Sequence, residues 1–487
     1  MSEADIRGER LKKLETLRAA GMDPYPARVE RSATIAELLG DFDNRESNKE
    51  SISIVGRVMA LRGQGGIMFT DLFDGSGKVQ AVVQKGEMDD QQLELFEKAV
   101  DIGDFIQIQG TLFKTKRGER SIQVRDWKMA AKALLPIPDE WYGLKDDEKR
   151  MRERYLDILL NSELRDMFVR RARFWRAIRA FLEDRGFLEV ETPVLETSPG
   201  GADARPFVTH HHALDIDVYL RISAGELWQK ELLIAGFPKV FEIGRIFRNE
   251  GQSREHAQDY TQLETYEAYS DMHKGMDFVR DLYRYIVKEV HGKYSFEING
   301  HRVDLAEDWE VIDFCTIIKD RFNIDPLTCT EEEAIQTVRD ARIQSGEALN
   351  KARAIDHLWK SIRKSIAGPA FLVGVPAYLE PLAKRSSERP DVVERLQVII
   401  AGSEMGKGYS ELNDPQDQRA RFEEQQKMRD QGDDEAQRLD EDYIRAMEHG
   451  MPPAFGFGVS ERLFSFLENK PIHETQLFPL LRPRSER

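Results

Sequence analysis

The chain has 487 residues, of which 40% are hydrophobic and 32% are charged, and its formal net charge at pH 7 is −16. This length is enough for two or three domains with a sizeable core. The acidic excess argues against a protein that binds nucleic acid through a uniformly basic surface, although a local basic patch is enough for phosphate contacts.

The sequence lacks the signals of a membrane or disulfide-rich protein. No apolar run approaches the roughly 20 residues that a membrane-spanning helix needs. Residues 1–13 are charged and lack the apolar core of a secretion signal. The two cysteines, Cys315 and Cys329, argue against a disulfide framework and against a cysteine-rich metal site. We therefore expect a cytoplasmic protein with no membrane partner.

The first part of the chain predicts a helical lead-in and a small β-barrel. Residues 1–48 begin with a charged helix over 2–20, which Gly21 and two nearby prolines end. Residues 49–135 predict five strands and one helix. Their ranges are 52–61, 67–73, 79–84, 105–114 and 121–129 for the strands and 89–99 for the helix. The helix falls between the third and fourth strands, which is the order of an OB-fold, and the face of that fold binds single-stranded nucleic acid.

Two side chains of this predicted barrel are candidates for base recognition. Phe69 offers a ring on which a base can stack, which contributes roughly 1–3 kcal/mol per base, and Gln80 offers an amide for hydrogen bonds. The alternative is that Phe69 belongs to the core and that Gln80 is merely solvated. The local sequence does not decide between the two.

The second part of the chain predicts a larger domain. A proline-containing linker over 136–160 precedes it, and the domain covers 161–487. Ser162 is predicted to cap an amphipathic helix that runs to Asp184. Residues 305–365 are mostly helical in pattern and carry no recognisable motif, so we interpret them as a structural insertion.

An apolar, β-prone hairpin lies at the centre of this domain. Residues 240–247 predict one strand, residues 251–253 a turn, and residues 260–269 the returning strand. Polar side chains at alternating positions should share one platform, and they are Arg248, Glu250, His256, Tyr260, Glu264 and Tyr266. A guanidinium can bind phosphate in a fork, an aromatic ring can cover a purine, and a carboxylate can hold an ammonium group. The alternative is a surface hairpin with a charged turn.

The stretch Phe247-Arg-Asn-Glu250, followed by His256, Tyr260 and Glu264, resembles motif 2 of the class II aminoacyl-tRNA synthetases, and in particular the lysyl enzymes. The predicted helix followed by a strand and Pro193 resembles motif 1, and Gly456 to Leu463 resembles motif 3. The resemblance covers nearly the whole chain apart from the helical insertion.

The resemblance implies an α+β protein, in which an N-terminal OB-fold β-barrel precedes an antiparallel sheet flanked by helices. It implies ATP-dependent activation of lysine and its transfer to tRNA, with Mg²⁺ as cofactor and a homodimer as the assembly. Arg248 and Arg462 are the implied catalytic residues. The implied ATP ligands are Arg248, Glu250, His256, Tyr260, Glu404 and Arg462. The implied lysine ligands are Gly201, Glu226, Arg248, Glu264, Tyr266, Lys407 and Glu411. The implied anticodon contacts are Phe69, Gln80 and Arg62, and the implied metal ligands are Glu404 and Gln397.

The sequence departs from the family pattern at several of these positions. Gln397 replaces a glutamate, Lys407 replaces an asparagine, and Glu380 replaces a serine, while Ser460 and a shifted glycine spacing alter motif 3. We hypothesise that Lys407 supplies part of the positive charge that a second Mg²⁺ supplies elsewhere. Drift in a tolerant or partly inactive site is the alternative. A related ligase with altered amino-acid choice, and a tRNA-binding paralogue without activation activity, also remain open.

Overall fold

The computed structural model describes residues 2–64, 66–138, 146–202, 204–251, 253–344, 349–430 and 438–483. These residues form two compact units, Met1–Arg150 and Met151–Arg487, and each unit has its own core. Across the described ranges, no helix is both long and apolar enough to cross a membrane.

The first unit is a closed five-stranded barrel with helices around it. Its elements are α1 (Glu3–Ala19), α2 (Ile35–Gly40), α3 (Phe42–Ser47), β1 (Ser51–Gln64), β2 (Ile67–Phe73), β3 (Lys78–Gln84), α4 (Asp90–Ala99), β4 (Phe105–Lys114) and β5 (Arg120–Ala131). The strands are ordered β1-β2-β3-β5-β4. The predicted OB-fold is therefore confirmed, with the helix between the third and fourth strands.

Local hydrogen bonds explain the tight turn between β2 and β3. One carboxylate oxygen of Asp74 accepts from the backbone N–H groups of Ser76 and Gly77 at 2.9 and 3.1 Å. An Asp that binds the backbone two residues ahead is a standard turn-forming arrangement. Alternation along β2 then places Thr70 and Leu72 inside the barrel and Phe69 and Asp71 on its outer face.

The helix α5 (Asp147–Arg152) begins in the first unit and ends in the second. The other helices of the second unit are α6 (Arg154–Leu160), α7 (Ser162–Glu183), α8 (Glu226–Ile234), α9 (Met272–His291), α10 (Phe314–Phe322), α11 (Glu331–Asp340), α12 (Lys351–Arg363), α13 (Pro415–Asp430), α14 (Glu441–Glu448), α15 (Arg462–Leu467) and α16 (Ile472–Thr475), with a short 3₁₀ helix at Ala377–Leu379. Its strands are β6 (Leu188–Glu189), β7 (Leu195–Glu196), β8 (Val208–His211), β9 (Ile216–Leu220), β10 (Lys239–Phe247), β11 (Asp259–Ala268), β12 (Ser295–Ile298), β13 (His301–Asp304), β14 (Glu310–Asp313), β15 (Ala370–Val373), β16 (Val375–Pro376), β17 (Val392–Val393), β18 (Arg395–Ile400), β19 (Ser403–Ser410) and β20 (Ala454–Ser460).

An eight-stranded sheet organises this unit, in the order β14-β15-β18-β19-β20-β11-β10-β6. Its six inner strands pair antiparallel, and only the edge strands β14 and β6 pair parallel to their neighbours. One apolar cluster joins the sheet to α7, α9 and α15, and a second joins it to α8, α10 to α12 and α14. The predicted antiparallel sheet flanked by helices is confirmed.

Two details differ from the sequence predictions. The side chain of Asn161, not that of Ser162, caps α7 by accepting from the N–H of Leu164 at 3.1 Å. Asn161 has the extended backbone that a capping residue needs, whereas Ser162 is already helical. Within the predicted helical insertion, Glu310–Asp313 forms β14, which joins the sheet beside β15. The helices of this segment are α10, α11 and α12.

Candidate active site

A polar cleft lies on the central sheet, where β10, β11, β19 and β20 run side by side. Its volume, open mouth included, is about 810 Å³. The predicted nucleotide and metal ligands that line it are Arg248, Glu250, His256, Tyr260, Gln397, Glu404 and Arg462, and the predicted lysine ligand Lys407 lines it as well. The structure therefore brings together eight side chains from three separate stretches of the sequence, 248–260, 397–407 and the region of Arg462.

Two arginines bring positive charge to this cleft. The Nε–H of Arg248 donates to the carbonyl oxygen of Ile222 at 3.2 Å, and its guanidinium carbon lies 5.9 Å from the centre of the Tyr260 ring. Arg462 forms an ion pair with Glu255, a residue that the sequence did not single out. The side chain of His256 is held by a hydrogen bond within its own loop, because its Nδ1 lies 2.7 Å from the hydroxyl of Ser253. Both guanidinium groups are thus anchored at the wall of the cleft.

Glu404 lies at the border between the cleft and the helical insertion. Its Oε1 accepts from the indole N–H of Trp359 on α12 at 2.7 Å, and the Nε of Arg363 lies 4.0 Å from the same oxygen. Burial favours a raised pKa for Glu404, but the charge of Arg363 and the hydrogen bond from Trp359 outweigh it, and the pKa is lowered. Glu404 is therefore held as a carboxylate.

The three departures from the family pattern in this region belong to one hydrogen-bonded chain. Glu380 forms ion pairs with Arg395 at 2.7 Å and with Lys407 at 3.3 Å. Arg395 in turn donates to the amide oxygen of Gln397. Lys407, whose side chain is 47% exposed, is therefore paired through Glu380. The predicted metal ligand Gln397 already has its amide oxygen bonded to a cation, which weakens it as a ligand for Mg²⁺.

A cluster of buried polar side chains around Glu226, Lys230, Glu264 and Glu411, the buried pocket, adjoins the cleft. Gln262 joins the two, because it lines the cleft and its amide donates to Glu264 at 2.7 Å. Glu264 also accepts from the hydroxyl of Tyr266 at 2.7 Å and from the N–H of Ala224 at 3.1 Å. The predicted lysine ligand Tyr266 thus contacts Glu264. Burial raises the pKa of Glu264 to about 7.

The predicted ammonium ligand Glu411 lies in the same pocket and is 2% exposed. It forms an ion pair with Lys230 at 2.6 Å, and Lys230 forms a second ion pair with Glu226 at 2.7 Å. Glu226 also accepts from the hydroxyl of Tyr409. Burial raises the pKa of Glu411 to about 8, against the opposing charge of Lys230. Glu411 Oε1 has no hydrogen-bond partner among the residues that the structure describes.

At two positions in the wall of this pocket, only glycine fits without a clash. A Cβ atom on Gly456 would lie 2.1 Å from Glu411 Oε1 and 2.6 Å from the ring of Tyr266. Gly201 has a φ of +83°, and a Cβ atom there would lie 2.7 Å from both Glu226 and Ser223. Its backbone therefore lies directly against Glu226, as expected for a residue that presents main-chain groups to a ligand.

The register of β20 shows where the glycines of the altered motif 3 lie. Gly456 lies between Tyr266 of β11 and Tyr409 of β19, and Gly458 lies between Glu264 and Lys407. The glycines that remain thus face the pocket and the cleft, and Arg462 follows at the start of α15. The shifted glycine spacing leaves Arg462 in the cleft.

Besides Gln262, five other residues of these two sites were not predicted from the sequence. They are Lys230, Glu255, Trp359, Arg395 and Tyr409. A sequence signal existed for Lys230, which lies four residues after Glu226 on one face of α8, a spacing that favours ion pairs. The contacts of the other four depend on long-range folding.

The barrel of the first unit brings its three predicted nucleic-acid contacts onto its outer face. Arg62 of β1 lies opposite Phe69, and Gln80 of β3 lies opposite Asp71. Arg62 forms an ion pair with Asp71 at 3.1 Å, and Gln80 accepts from Ser121 at 3.1 Å. Phe69 is half-buried and is not part of the barrel core, which favours the base-stacking interpretation.

Comparisons with known proteins match both units. A family model of OB-fold nucleic acid binding domains matches residues 52–130, and a model of class II tRNA synthetases (D, K and N) matches residues 146–482. The chain is 42% identical to a lysine–tRNA ligase of Roseiflexus castenholzii over 485 residues, which cover 99% of each chain. It is 40% identical to a lysine–tRNA ligase of Moorella thermoacetica, over 100% of this chain and 99% of that one. For a lysine–tRNA ligase of Thermotoga maritima the identity is 39%, over 99% of this chain and 96% of that one. The chain therefore belongs to the class II tRNA synthetases of the D, K and N group.

Proposed function

We propose that the protein is a lysine–tRNA ligase, which activates lysine with ATP and transfers it to tRNA(Lys). The observation that carries this proposal is the junction of two sites on one sheet. A cleft with two arginines and Glu404 meets a buried pocket with three carboxylates, and Gln262 links them. The full-length relatives support the same activity.

The cleft is suited to a nucleotide triphosphate. Arg248 and Arg462 would bind phosphate oxygens in charge-assisted hydrogen bonds, which are stronger than neutral ones. Tyr260 would cover the adenine ring, with Glu250 and His256 at the edge of the nucleotide. Glu404 fits a single Mg²⁺, because this ion is usually held by one or two carboxylates together with substrate phosphates. Such an ion would neutralise phosphate charge, and Gln397 would contribute little to its binding.

The buried pocket is suited to an amino acid with two ammonium groups. Glu411 would receive the side-chain ammonium, through the oxygen that lacks a partner among the described residues. Glu226, Glu264 and the backbone of Gly201 would receive the α-ammonium. Arg248, which lies in the cleft, would bind the lysine carboxylate beside the α-phosphate. An uncharged side chain would leave Glu411 unpaired, and a buried unpaired carboxylate is costly.

The chemistry then follows from positioning. The lysine carboxylate attacks the α-phosphorus of ATP, the bond to the β-phosphate oxygen breaks, and pyrophosphate leaves with the electron pair. The terminal hydroxyl of the tRNA next attacks the carbonyl carbon of lysyl-adenylate, AMP leaves, and the hydroxyl proton passes to the released phosphate or to water. Fixed positive charge in a preorganised site is the main catalytic contribution.

We also propose the partners of the two units. The outer face of the barrel would bind the anticodon, with Phe69 stacking on a base and Gln80 and Arg62 contacting its edge or phosphate. A homodimer would form through the segment that resembles motif 1, in which Leu188, Val194 and Leu195 are 42–49% exposed. A cytoplasmic location fits an enzyme that consumes ATP and tRNA and whose Cys315 and Cys329 are free thiols.

One experiment tests the activity. ATP–pyrophosphate exchange is measured with each of the twenty amino acids, followed by charging of tRNA(Lys). Exchange with lysine alone supports the proposal, and exchange with a different amino acid supports a related ligase. A protein that binds tRNA but gives no exchange would be a paralogue without activation activity. Light scattering of the purified protein tests the dimer.

A second experiment tests the hypothesis for Lys407. The double variant Lys407→Asn, Gln397→Glu restores the family pattern at both positions. If Lys407 supplies charge that an additional Mg²⁺ supplies elsewhere, the exchange reaction of this variant should need more Mg²⁺ than the wild type. An unchanged Mg²⁺ dependence would contradict the hypothesis.

A further inference from the structure

The buried amino-acid pocket contains a cation of its own. The ammonium group of Lys230 is 1% exposed and lies between Glu226 and Glu411, at 2.7 and 2.6 Å. Burial alone would lower the pKa of Lys230, but the charges of Glu226 and Glu411 reverse this effect and raise it. Lys230 therefore remains charged at every pH at which the enzyme would work.

One ammonium cannot balance three carboxylates. Glu226, Glu264 and Glu411 are each at most 6% exposed, so the pocket would carry a formal charge of −2 if all three were ionised. Glu264 is bonded to three neutral donors, namely Tyr266, Gln262 and the N–H of Ala224. A buried site avoids such an excess of negative charge because some of its carboxyl groups retain their protons.

The other titratable groups that face the pocket do not remove this excess. Tyr266, Tyr409 and Tyr443 come from β11, β19 and α14, and burial raises the pKa of each, so that they stay neutral. Beyond them, Glu380 acts on Tyr409 and Glu231 acts on Tyr443, and both add negative charge. Lys407 lies 6.0 Å from the centre of the Tyr409 ring, but it pairs with Glu380. Within the described residues, Lys230 is the cation that forms ion pairs with Glu226 and Glu411.

We propose that Lys230 is a positioning residue, which supplies the first of three ammonium groups in this pocket, and that bound lysine supplies the other two and displaces protons from the carboxylates. The proposal rests on the proposed function. With lysine bound, three ammonium groups face three carboxylates, and the pocket is neutral. Each displaced proton passes to water. An amino acid with a single ammonium group leaves one carboxyl protonated, so the charge balance itself favours lysine.

Raised carboxyl pKa values support the proton step. They are about 7 for Glu264 and about 8 for Glu411, and both lie within the range in which lysine keeps both of its ammonium groups. Lysine binding must therefore strengthen as pH rises. Deprotonation of Glu264 alone would increase the affinity about tenfold between pH 6 and pH 8.

Calorimetry of the wild-type protein tests the proposal directly. Lysine binding is titrated at pH 7 in two buffers with different ionisation enthalpies, and the difference in heat gives the protons released. We expect roughly one proton per lysine bound. Binding without proton release overturns the proposal even if exchange activity is intact. Absence of lysine binding and of exchange would overturn the proposed function as well.

The variant Lys230→Met distinguishes a positioning role of Lys230 in lysine binding from a purely structural role. Lys230→Met removes the resident cation, which lowers the pKa of Glu411, so Glu411 should hold its proton more tightly in this variant. We expect the pH profile of the KM for lysine to move upward by about one pH unit, with the KM for ATP unchanged. The matched control is Lys132→Met, since Lys132 is a fully buried lysine that pairs with Asp101 and Asp104 in the other unit.

The control variant Lys132→Met should lower the thermal stability of the protein and leave the pH profile of the KM for lysine unchanged. An unmoved profile in Lys230→Met, at normal exchange activity, would overturn the assignment of Lys230. If Lys230→Met does not fold, the proton release of the wild-type protein decides the question.

Discussion

The buried pocket has no space for an additional atom at Gly456, so this position gives a sharp test of the proposal that the pocket binds the amino acid. The substitution Gly456→Ala adds one methyl group, which would lie 2.1 Å from Glu411 Oε1 and 2.6–2.8 Å from two ring carbons of Tyr266. Ordinary contacts begin near 3.4 Å. The carboxylate of Glu411 and the ring of Tyr266 must therefore move by about 1 Å, and overpacking of this kind costs about 1–3 kcal/mol.

A displacement of about 1 Å at a substrate-binding group can reduce catalysis by about 100-fold, which corresponds to about 2.7 kcal/mol. We expect this loss in the kcat/KM for lysine in ATP–pyrophosphate exchange. The KM for ATP should change little, because the cleft proposed to hold the nucleotide is lined by Gly458 and not by Gly456.

The same strand offers a matched control two residues further on. A Cβ atom at Gly458 would lie 3.5 Å from the Gln262 amide and 3.6 Å from Glu264, which are ordinary contacts. Gly458→Ala shares the change in strand propensity but not the clash, and since Gly458 lines the cleft, any effect should fall on the KM for ATP and not on the KM for lysine. Equal kinetics of the two alanine variants, or a normal KM for lysine in Gly456→Ala, would refute the assignment of this pocket to the amino acid.

Three further predictions concern other parts of the molecule. Trp359→Phe removes the hydrogen-bond donor to Glu404. ATP–pyrophosphate exchange should then need several-fold more Mg²⁺, while the KM for lysine stays constant. An unaltered Mg²⁺ titration would mean that Trp359 does not position Glu404 for the metal. Burial raises the pKa of Glu196 to about 7, so the folded protein binds more protons than the unfolded chain between about pH 4.5 and 7, and stability is lost across this range as pH rises. Glu196→Gln should therefore unfold at a temperature several degrees higher than the wild type at pH 8 but not at pH 4.5, in scanning calorimetry. Phe69→Leu should raise the KM for tRNA in the charging reaction and leave exchange unchanged, and a normal KM would exclude base stacking at this position.

The sequence was informative wherever local pattern determines structure. The alternation along β2 and the carboxylate of Asp74 that binds the following turn are local features, so the strand and its outer residue Phe69 could be predicted. The cap of α7 was misplaced by one residue, because Asn161 and Ser162 are both good capping residues and only the backbone conformation distinguishes them.

The composition of the cleft was predictable for a different reason. Arg248, Glu404 and Arg462 each lie in a stretch whose residue types and spacing are those of a known family, so the resemblance placed them together although they are distant in sequence. The resemblance gave no information about their partners. Glu255 and Trp359 contact these side chains only because the loop after β10 and the helix α12 pack where they do.

The departures from the family pattern show most clearly what a sequence alone does not provide. Considered separately, Gln397 means the loss of a carboxylate relative to the family pattern, and Lys407 means the gain of a positive charge. In the folded protein Glu380 joins them, because it pairs with Arg395 and Lys407, while Arg395 donates to Gln397.

These positions should therefore not behave independently. The pair of Arg395 and Glu380 is about 10% exposed on each side, whereas the side chain of Lys407 is 47% exposed. Breaking an ion pair by removing one partner is costly in a buried site, and an exposed pair contributes less than about 1 kcal/mol. Glu380→Ser should therefore destabilise the protein more than Lys407→Asn does, and the double variant should cost less than the sum of the two, because each removes the same contact. Strict additivity in chemical denaturation would mean that Glu380 and Lys407 do not interact in solution, and Lys407 would then contribute its full charge to the cleft.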